Sequence, residues 1–123
     1  MQVIIRGAEE VIARLDTAAL GLAVDRSLRE ASLRMVGELA RYPSPPSGST
    51  YRRTGTLGRA WTQQGAALHY VVGNNVRYAT YVQGPEQAWM HRGRWRTADE
   101  VAQGSVEQIA RDIAEGVARV LGG

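Results

Sequence analysis

The sequence AALHYVVGNNVRYATYV at residues 66–82 is the stretch that decides the fold. It holds two runs rich in β-branched and aromatic residues, 66–73 and 76–82, on either side of Gly-Asn-Asn. Because Gly and Asn tolerate a positive φ, two such runs around them are typical of an antiparallel hairpin. Within 76–82, Val76, Tyr78, Thr80 and Val82 alternate with the residues between them. We predict a hairpin with one face towards the core and the other forming a contact surface.

Two shorter segments extend this predicted sheet. Residues 3–5, Val-Ile-Ile, form a β-branched run that Gly7 stops. Residues 57–64 contribute part of another strand, which ends at a polar Gln-Gln-Gly turn at 63–65. The sheet is therefore expected to contain residues 3–5, part of 57–64, 66–73 and 76–82.

Helical periodicity appears on both sides of the strand region. A first helix is predicted from Ala8 to about Gly21, and a longer one over 24–42 with Asp25 as a cap or first-turn acid. Apolar residues of the longer helix recur at 24, 28, 31, 35, 39 and 42, before Pro43. A last helix over 98–121 has an apolar stripe at 102, 106, 109, 113, 117 and 120 or 121. Thr97 and Glu100 have the spacing of a capping box at its start.

These elements predict an α+β fold. One domain spans residues 1–123, with a small antiparallel sheet packed against a long central helix and a C-terminal helix. Two long loops, 43–53 and 83–96, interrupt the regular structure. The chain has no cysteine, which excludes disulfides and Cys-based metal or redox sites. No run approaches the ~20 apolar residues of a membrane span, and the N-terminus lacks the apolar region of a signal peptide.

Positive charge is concentrated in the middle of the chain. Residues 41–96 carry eight Arg and one acid, Glu86, whereas 1–40 carry five Arg against six acids and 97–123 two Arg against five acids. All three Trp and all five Tyr also lie between residues 42 and 95. Guanidinium groups stack on rings and bind carboxylates or phosphates, so this segment is typical of a contact surface.

Catalysis has little support in the sequence. His69 and His91 lie on a predicted strand and in a predicted loop, and neither has a metal-ligand spacing. The acid pairs at 9–10 and 99–100 are explained by the dipoles of the helices they begin. We expect no enzyme activity, no cofactor, no metal and no small-molecule substrate.

Two interpretations of the basic and aromatic segment remain open. Its arginines and tryptophans can hold a nucleic-acid backbone and stack on bases without reading sequence; the candidates for DNA contact are Arg52, Arg53, Arg92, Arg94 and Arg96. Alternatively, they contact the acidic flanks of another copy, with the rings as anchors. Both modes weaken with salt.

The order of the motifs resembles a known family. Arg53-Thr54-Gly55-Thr56-Leu57 is followed by Trp61, then by Tyr78-Ala79-Thr80-Tyr81-Val82-Gln83-Gly84 and a closing helix. This is similar to the head–tail connector and tail-completion proteins of tailed bacteriophages, also described as neck, tail-terminator or minor tail proteins. The chain departs from that pattern at Gln83, where the family often has Glu, and in residues 87–95.

The resemblance implies a non-enzymatic virion protein, a homo-oligomeric, hexameric ring at the head–tail junction or top of the tail. Its partners are neighbouring neck and tail proteins, with non-specific contact with packaged DNA as a further expectation and no membrane. It is expected in the virion, and in the host cytoplasm during assembly. Structural or interface roles are carried onto Thr54, Gly55, Leu57, Tyr78, Ala79, Tyr81, Val82 and Gly84. The predicted subunit-interface residues are Arg52, Arg53, Thr54, Gly55, Leu57, Trp61, Tyr78, Tyr81, Gln83, Gly84, Trp89, His91, Arg92, Arg94 and Trp95.

Overall fold

A computed structural model describes residues 1–6, 18–44 and 55–122. In chain order the elements are β1 (Gln2–Ile5), α1 (Ala18–Leu39), α2 (Thr56–Arg59), β2 (Trp61–Ala66), β3 (His69–Asn74), α3 (Ala79–Gln83), a 3₁₀ turn (Trp89–His91) and α4 (Ala98–Gly122). The two long helices pack against an antiparallel sheet, as the α+β prediction required. Residues 8–17 of the first predicted helix and most of the 43–53 loop lie outside the described residues.

The sheet has the strand order β1-β3-β2. The β1 strand pairs with β3 from Gln2 opposite Gly73 to Ile5 opposite Tyr70, and β2 pairs with β3 over its full length. Alternate side chains of β3, Tyr70, Val72 and Asn74, are buried under the helices. The predicted sheet residues are confirmed at 3–5, 61–64 and 69–73, while Ala66 belongs to β2 and 67–68 lie outside the strands.

The hairpin itself lies elsewhere in the sequence than predicted. Its turn is Ala67-Leu68, with φ of 52° and 72°, and it joins β2 to β3. Two adjacent residues with positive φ are the geometry of a tight hairpin turn whose twist matches that of the strands. The Gly-Asn-Asn stretch instead ends β3, and residues 63–65 lie inside β2 rather than in a turn. The predicted strand over 76–82 is therefore wrong.

The central helix α1 has the predicted buried stripe. Val24, Leu28, Ala31, Met35 and Leu39 are all buried. Helix α1 continues through position 21, so the predicted break at that glycine is wrong. Because the packing of a continuous apolar face outweighs the ~1 kcal/mol helix propensity cost of one Gly, the helix tolerates it.

The C-terminal helix α4 begins at the predicted capping box. The backbone N–H of Glu100 donates to Thr97 Oγ1 at 3.1 Å, and Glu100 Oε1 accepts from the Thr97 backbone at 3.4 Å. Helices α1 and α4 run antiparallel and meet closely at Gly116, where an added Cβ would lie 3.6 Å from Ser27 Oγ and 3.7 Å from Ala23 Cβ. These are ordinary van der Waals distances, so an alanine would also fit at position 116 and the helix packing does not require glycine there.

The apolar stripe of α4 is narrower than predicted. Ile109, Ile113 and Val117 pack against the Val24–Leu28–Tyr70 cluster, and Val101 packs at the Met35–Leu39 end of α1. Val106 and Leu121, both assigned to this stripe, are instead 55% and 70% exposed. At ~100° per residue Leu121 lies about 80° from Ile113, whereas Val106 falls between Ile113 and Val117, so helix geometry alone does not explain its exposure.

Asp25 holds the hairpin turn to α1 and is not a helix cap. It lies within α1, and its Oδ1 accepts hydrogen bonds from the Leu68 backbone N–H at 2.9 Å and from Tyr70 Oη at 2.8 Å. Burial, followed by the hydrogen bond and negative charge of Asp25, raises the pKa of Tyr70 above its ordinary value of 10.0, against a smaller opposing effect of Arg29. One carboxylate therefore fixes both the turn and a core tyrosine.

We expect Tyr70→Phe to lower the free energy of unfolding by about 1 kcal/mol at neutral pH, because the bond to Asp25 is lost while Leu68 retains its own. Since the folded pKa of Tyr70 is raised, its contribution is present below pH 10.0 and disappears as the pH rises through the folded pKa. Urea unfolding from pH 7 to 11 should show the difference from wild type shrinking above pH 10.0. Tyr78→Phe, at an exposed ring, is the matched control. A pH-independent difference would contradict this assignment.

Candidate assembly surface

Residues 76–84 form a turn and the short helix α3. Ala79, Val82 and Gln83 face inward, where Ala79 and Val82 pack with Leu57. Tyr78 and Tyr81 are three residues apart and are 46% and 51% exposed. Helical geometry places residues with this spacing on one side, whereas a strand would have put them on opposite faces.

Gln83 joins four elements through one buried side chain. Its Oε1 accepts a hydrogen bond from Trp61 Nε1 at 3.0 Å, at the start of β2. Its Nε2 donates to the Leu39 carbonyl at the end of α1, at 3.0 Å, and to the Arg96 carbonyl just before α4, at 3.1 Å. Only 1% of Gln83 is exposed, so these bonds are made without competition from water. The end of α3 is thereby fixed to the frame of the fold.

Gln87 organises the segment that follows. Its Nε2 donates to the Val82 carbonyl at 2.7 Å and to the Trp95 carbonyl at 2.9 Å, across the base of the loop. The backbone N–H of Ala88 donates to the Tyr81 carbonyl at 2.8 Å, which ties the loop to α3. The predicted second loop, 83–96, thus has a fixed path that includes the 3₁₀ turn at Trp89–His91.

Trp95 attaches the far end of this loop to the domain. Its ring lies 5.0 Å from the Tyr42 ring, centre to centre, and the His91 ring approaches it edge-on at 6.4 Å. Tyr42 Oη in turn accepts a hydrogen bond from the Gly58 backbone N–H at 2.9 Å. In the described part of the chain, the buried Nδ1 of His91 has no hydrogen-bond partner. Both Trp95 and His91 are half-buried and so support the loop.

The side chains that the loop and α3 leave exposed form what we call the aromatic patch: Tyr78, Tyr81, Trp89 and Met90. Trp89 is 78% exposed and Met90 53%. The bond between Ala88 and the Tyr81 carbonyl brings the start of the 3₁₀ turn next to α3, so these residues share one region of the surface. Large aromatic side chains beside Arg, held on a fixed backbone, are typical of the energetic centre of a protein interface.

The arginines predicted to contact DNA differ in their surroundings. Arg96 forms an ion pair with Glu38 at 2.8 Å, and Arg94 Nη2 donates to the Ser44 carbonyl at 3.1 Å. Arg92 is exposed and lines an open cleft of about 560 Å³ beside Asp99. Arg52 and Arg53 lie outside the described residues, as does Thr54. Two of the three described arginines thus already have partners within the chain.

Several residues predicted at the subunit interface lie inside the fold. Leu57 and Trp61 are buried in separate apolar clusters, and Gln83 and Gly84 are buried with them. A Cβ on Gly84 would lie 2.5 Å from Thr80 Cα, so no larger residue fits there. Gly55 precedes α2 with φ of 80°. In the single chain these residues support the aromatic patch from within the fold. Tyr78, Tyr81 and Trp89, by contrast, are exposed.

Sequence reasoning missed Met90 and Gln87. An apolar side chain directly after Trp89 in a loop with several arginines is a signal for an extended patch. No sequence pattern indicates Gln87, because its hydrogen bonds to two carbonyls depend on the path of the loop. Among the described residues, no three His, Asp or Glu side chains are grouped so as to hold a metal.

The chain was compared with models of protein families, with curated proteins and with solved structures, and none of them matches. None of the helices in the described ranges combines the length and apolar character needed to cross a membrane.

Proposed function

We propose that this chain is a structural subunit of a tailed-phage virion, forming a ring at the neck or the top of the tail that joins tail to head. The observation that carries the proposal is the aromatic patch: Trp89 is 78% exposed although the loop that bears it is anchored by buried or half-buried amides. Exposed rings on a fixed backbone lose little conformational entropy on association. The resemblance of the 53–57 and 78–84 motifs supplies the virion context.

The alternative, a sequence-independent nucleic-acid-binding module, has less support. Such binding requires cations that remain available to phosphates. Arg94 and Arg96 contact Ser44 and Glu38, although both contacts are at the surface. Arg92→Ala with Arg94→Ala should therefore leave any weak duplex binding largely unchanged, whereas the module interpretation requires its loss.

The ring proposal predicts closed particles in negative-stain micrographs of the concentrated protein, with one symmetry, six-fold in the simplest case. Purified tails or heads of the parent phage that lack this subunit should take up the added protein and regain infectivity. Protein that yields neither rings nor docking onto either particle would contradict the proposal. A duplex-binding assay at several salt concentrations, run on the same preparation, distinguishes the alternative.

A further inference from the structure

The small sheet has two free edges. In the order β1-β3-β2, both outer strands pair on one side only, and no further strand joins them within residues 1–6, 18–44 and 55–122. The unpaired side of an edge strand exposes backbone N–H and C=O groups with which another strand can pair. The edges of β1 and β2 therefore offer a place for contact that is separate from the aromatic patch.

The register shows which backbone groups of β1 point outward. The N–H of Asn74 donates to the Met1 carbonyl at 3.3 Å, so Val3, two residues further along, is bonded to β3 as well. Bonded and non-bonded positions alternate in an antiparallel pair. Gln2 and Ile4 therefore direct their N–H and C=O groups to the free edge. In the part of the chain that the structure describes, these four groups have no backbone partner.

The same alternation identifies the outward groups of β2. Its two-residue turn closes on a bonded pair, Ala66 opposite His69. Counting back in steps of two, Gln64 and Thr62 are bonded to β3, and Gln63 directs its N–H and C=O to the free edge. Those two groups also lack a backbone partner among the described residues.

Neither edge has the features that keep edge strands from pairing with other molecules. Soluble proteins protect such strands with charged side chains, proline or bulges. The strands β1 and β2 contain no charged residue and no proline, and both pair with β3 without a bulge. Gly65, with φ of 140°, departs from the extended conformation, so the regular edge of β2 runs over residues 61–64 and matches the 4 residues of β1. The side chains of Gln2, Ile4, Thr62 and Gln64 are all exposed beside these edges.

We propose that the free edge of β2 in one copy pairs with the free edge of β1 in the next copy of this chain, so that the sheet continues from subunit to subunit. This inference rests on the proposed function and names a contact that builds the ring. A second copy is the occupant because it supplies an uncharged edge of the same length. Pairing β1 with β1 would leave every β2 edge unpaired, whereas pairing β2 with β1 satisfies both.

The geometry of this contact follows from the topology. Both β1 and β2 are antiparallel to β3, so they run in the same direction, and repeating the sheet makes the new pair of strands parallel. Two different edges meet, so the contact is head-to-tail. A head-to-tail contact generates a ring when its rotation closes, and a closed ring leaves no edge exposed.

The absence of cysteine from the sequence makes the contact testable by cross-linking. Ile4→Cys is mixed with Thr62→Cys or with Gln64→Cys and treated with a short bismaleimide; all three positions are exposed on the sheet. Neighbouring strands place facing Cβ atoms about 5 Å apart, within reach of the reagent. The matched control is the mixture of Ile4→Cys with Gln103→Cys, which is exposed on α4.

At least one of the two β2 variants should give cross-linked dimer with Ile4→Cys several-fold above the control mixture. Efficient cross-linking of Ile4→Cys to itself would overturn the inference in favour of a symmetric β1–β1 contact. Protein that is oligomeric by light scattering, yet cross-links at neither β2 position, would also overturn it and leave the proposed ring intact. Protein that remains monomeric throughout would contradict the inference and the proposed function together.

Ile4→Pro tests the backbone pairing itself. Proline removes the N–H that points to the free edge and leaves the bonds to β3, so the single chain should still fold. Self-association should weaken by about tenfold or more in Kd, measured by sedimentation velocity. Ile4→Thr, which keeps the N–H and the β-branch, is the matched control and should associate like wild type. A folded Ile4→Pro protein that associates as tightly as Ile4→Thr would exclude pairing at this edge.

Discussion

Gln83→Ala is expected to lower the free energy of unfolding by about 3 to 5 kcal/mol, among the largest effects of any single substitution in this chain. The substitution removes three hydrogen bonds and leaves Trp61 Nε1 and the carbonyls of Leu39 and Arg96 without their partner in a buried site. It also opens a cavity, because the side chain is only 1% exposed. Urea unfolding followed by tryptophan fluorescence measures the change.

Gln64→Ala is the matched control, since Gln64 is exposed on β2; its effect should stay within about 0.5 kcal/mol. Gln83→Glu supplies a second, sharper test. An ionised carboxylate can accept from Trp61 but cannot donate to the two carbonyls, so the pKa of the new group should be raised in the folded state. A raised folded pKa means that the destabilisation grows as the pH rises from about 4 towards 7. Loss of less than 1 kcal/mol in Gln83→Ala would show that the buried amide does not hold the elements together.

Trp89→Ala should weaken self-association by about 30-fold or more in Kd, which corresponds to a hot-spot loss of about 2 kcal/mol. The fold itself should be almost unaffected, within about 0.5 kcal/mol, because the indole of the single chain is 78% exposed. Sedimentation velocity over a concentration series measures the first quantity and urea unfolding the second.

The matched control for Trp89→Ala is Leu22→Ala, which removes a 72% exposed side chain from α1 and none from the aromatic patch. It should change neither association nor stability. Equal association of wild type and Trp89→Ala would exclude the aromatic patch as a contact surface. A large loss of stability in Trp89→Ala would instead show that the indole stabilises the fold of the single chain.

Strong periodicity made the helical frame predictable from sequence. The buried stripe from Val24 to Leu39 is unbroken, and the Thr97–Glu100 spacing indicates where α4 begins. Local chemistry and tertiary packing therefore favour the same two helices. The hairpin was not predictable in the same way. Ala67 and Leu68 adopt a positive φ that their side chains do not favour, and Asp25, distant in sequence, stabilises the turn by binding the Leu68 N–H.

The segment 76–82 was assigned wrongly because its residues fit two periods. Tyr78, Thr80 and Val82 suit a strand, whereas Ala79 and Val82, three apart, suit a helix that packs on Leu57. Asn74 resolves the ambiguity in the folded chain: its side chain donates to the Leu57 carbonyl and accepts from the Val76 N–H, which ends β3 and turns the backbone. The bond to Leu57 joins residues distant in sequence and leaves no local pattern, whereas the bond from Val76, two residues on, is a local Asx turn.

The residue types of the candidate surface could be predicted from the sequence, but the individual residues that form it could not. The concentration of Arg, Trp and Tyr in residues 42–96 indicated the region that contains the aromatic patch, yet it gave equal weight to Trp61 and Trp89. Trp61 is buried and bonded to Gln83, whereas Trp89 is exposed. Val106 and Leu121 were assigned to the core stripe, and only their exposure in the folded chain corrects that assignment.

The mass of the protein in solution is the most direct test of the claim that the aromatic patch joins copies of the chain. In sedimentation equilibrium the average mass should rise with protein concentration from 13.4 kDa towards a multiple of that value. At a given concentration the mass should be lower at high salt than at low salt, and lower again in Trp89→Ala. A single species of 13.4 kDa at every concentration and salt would contradict the account.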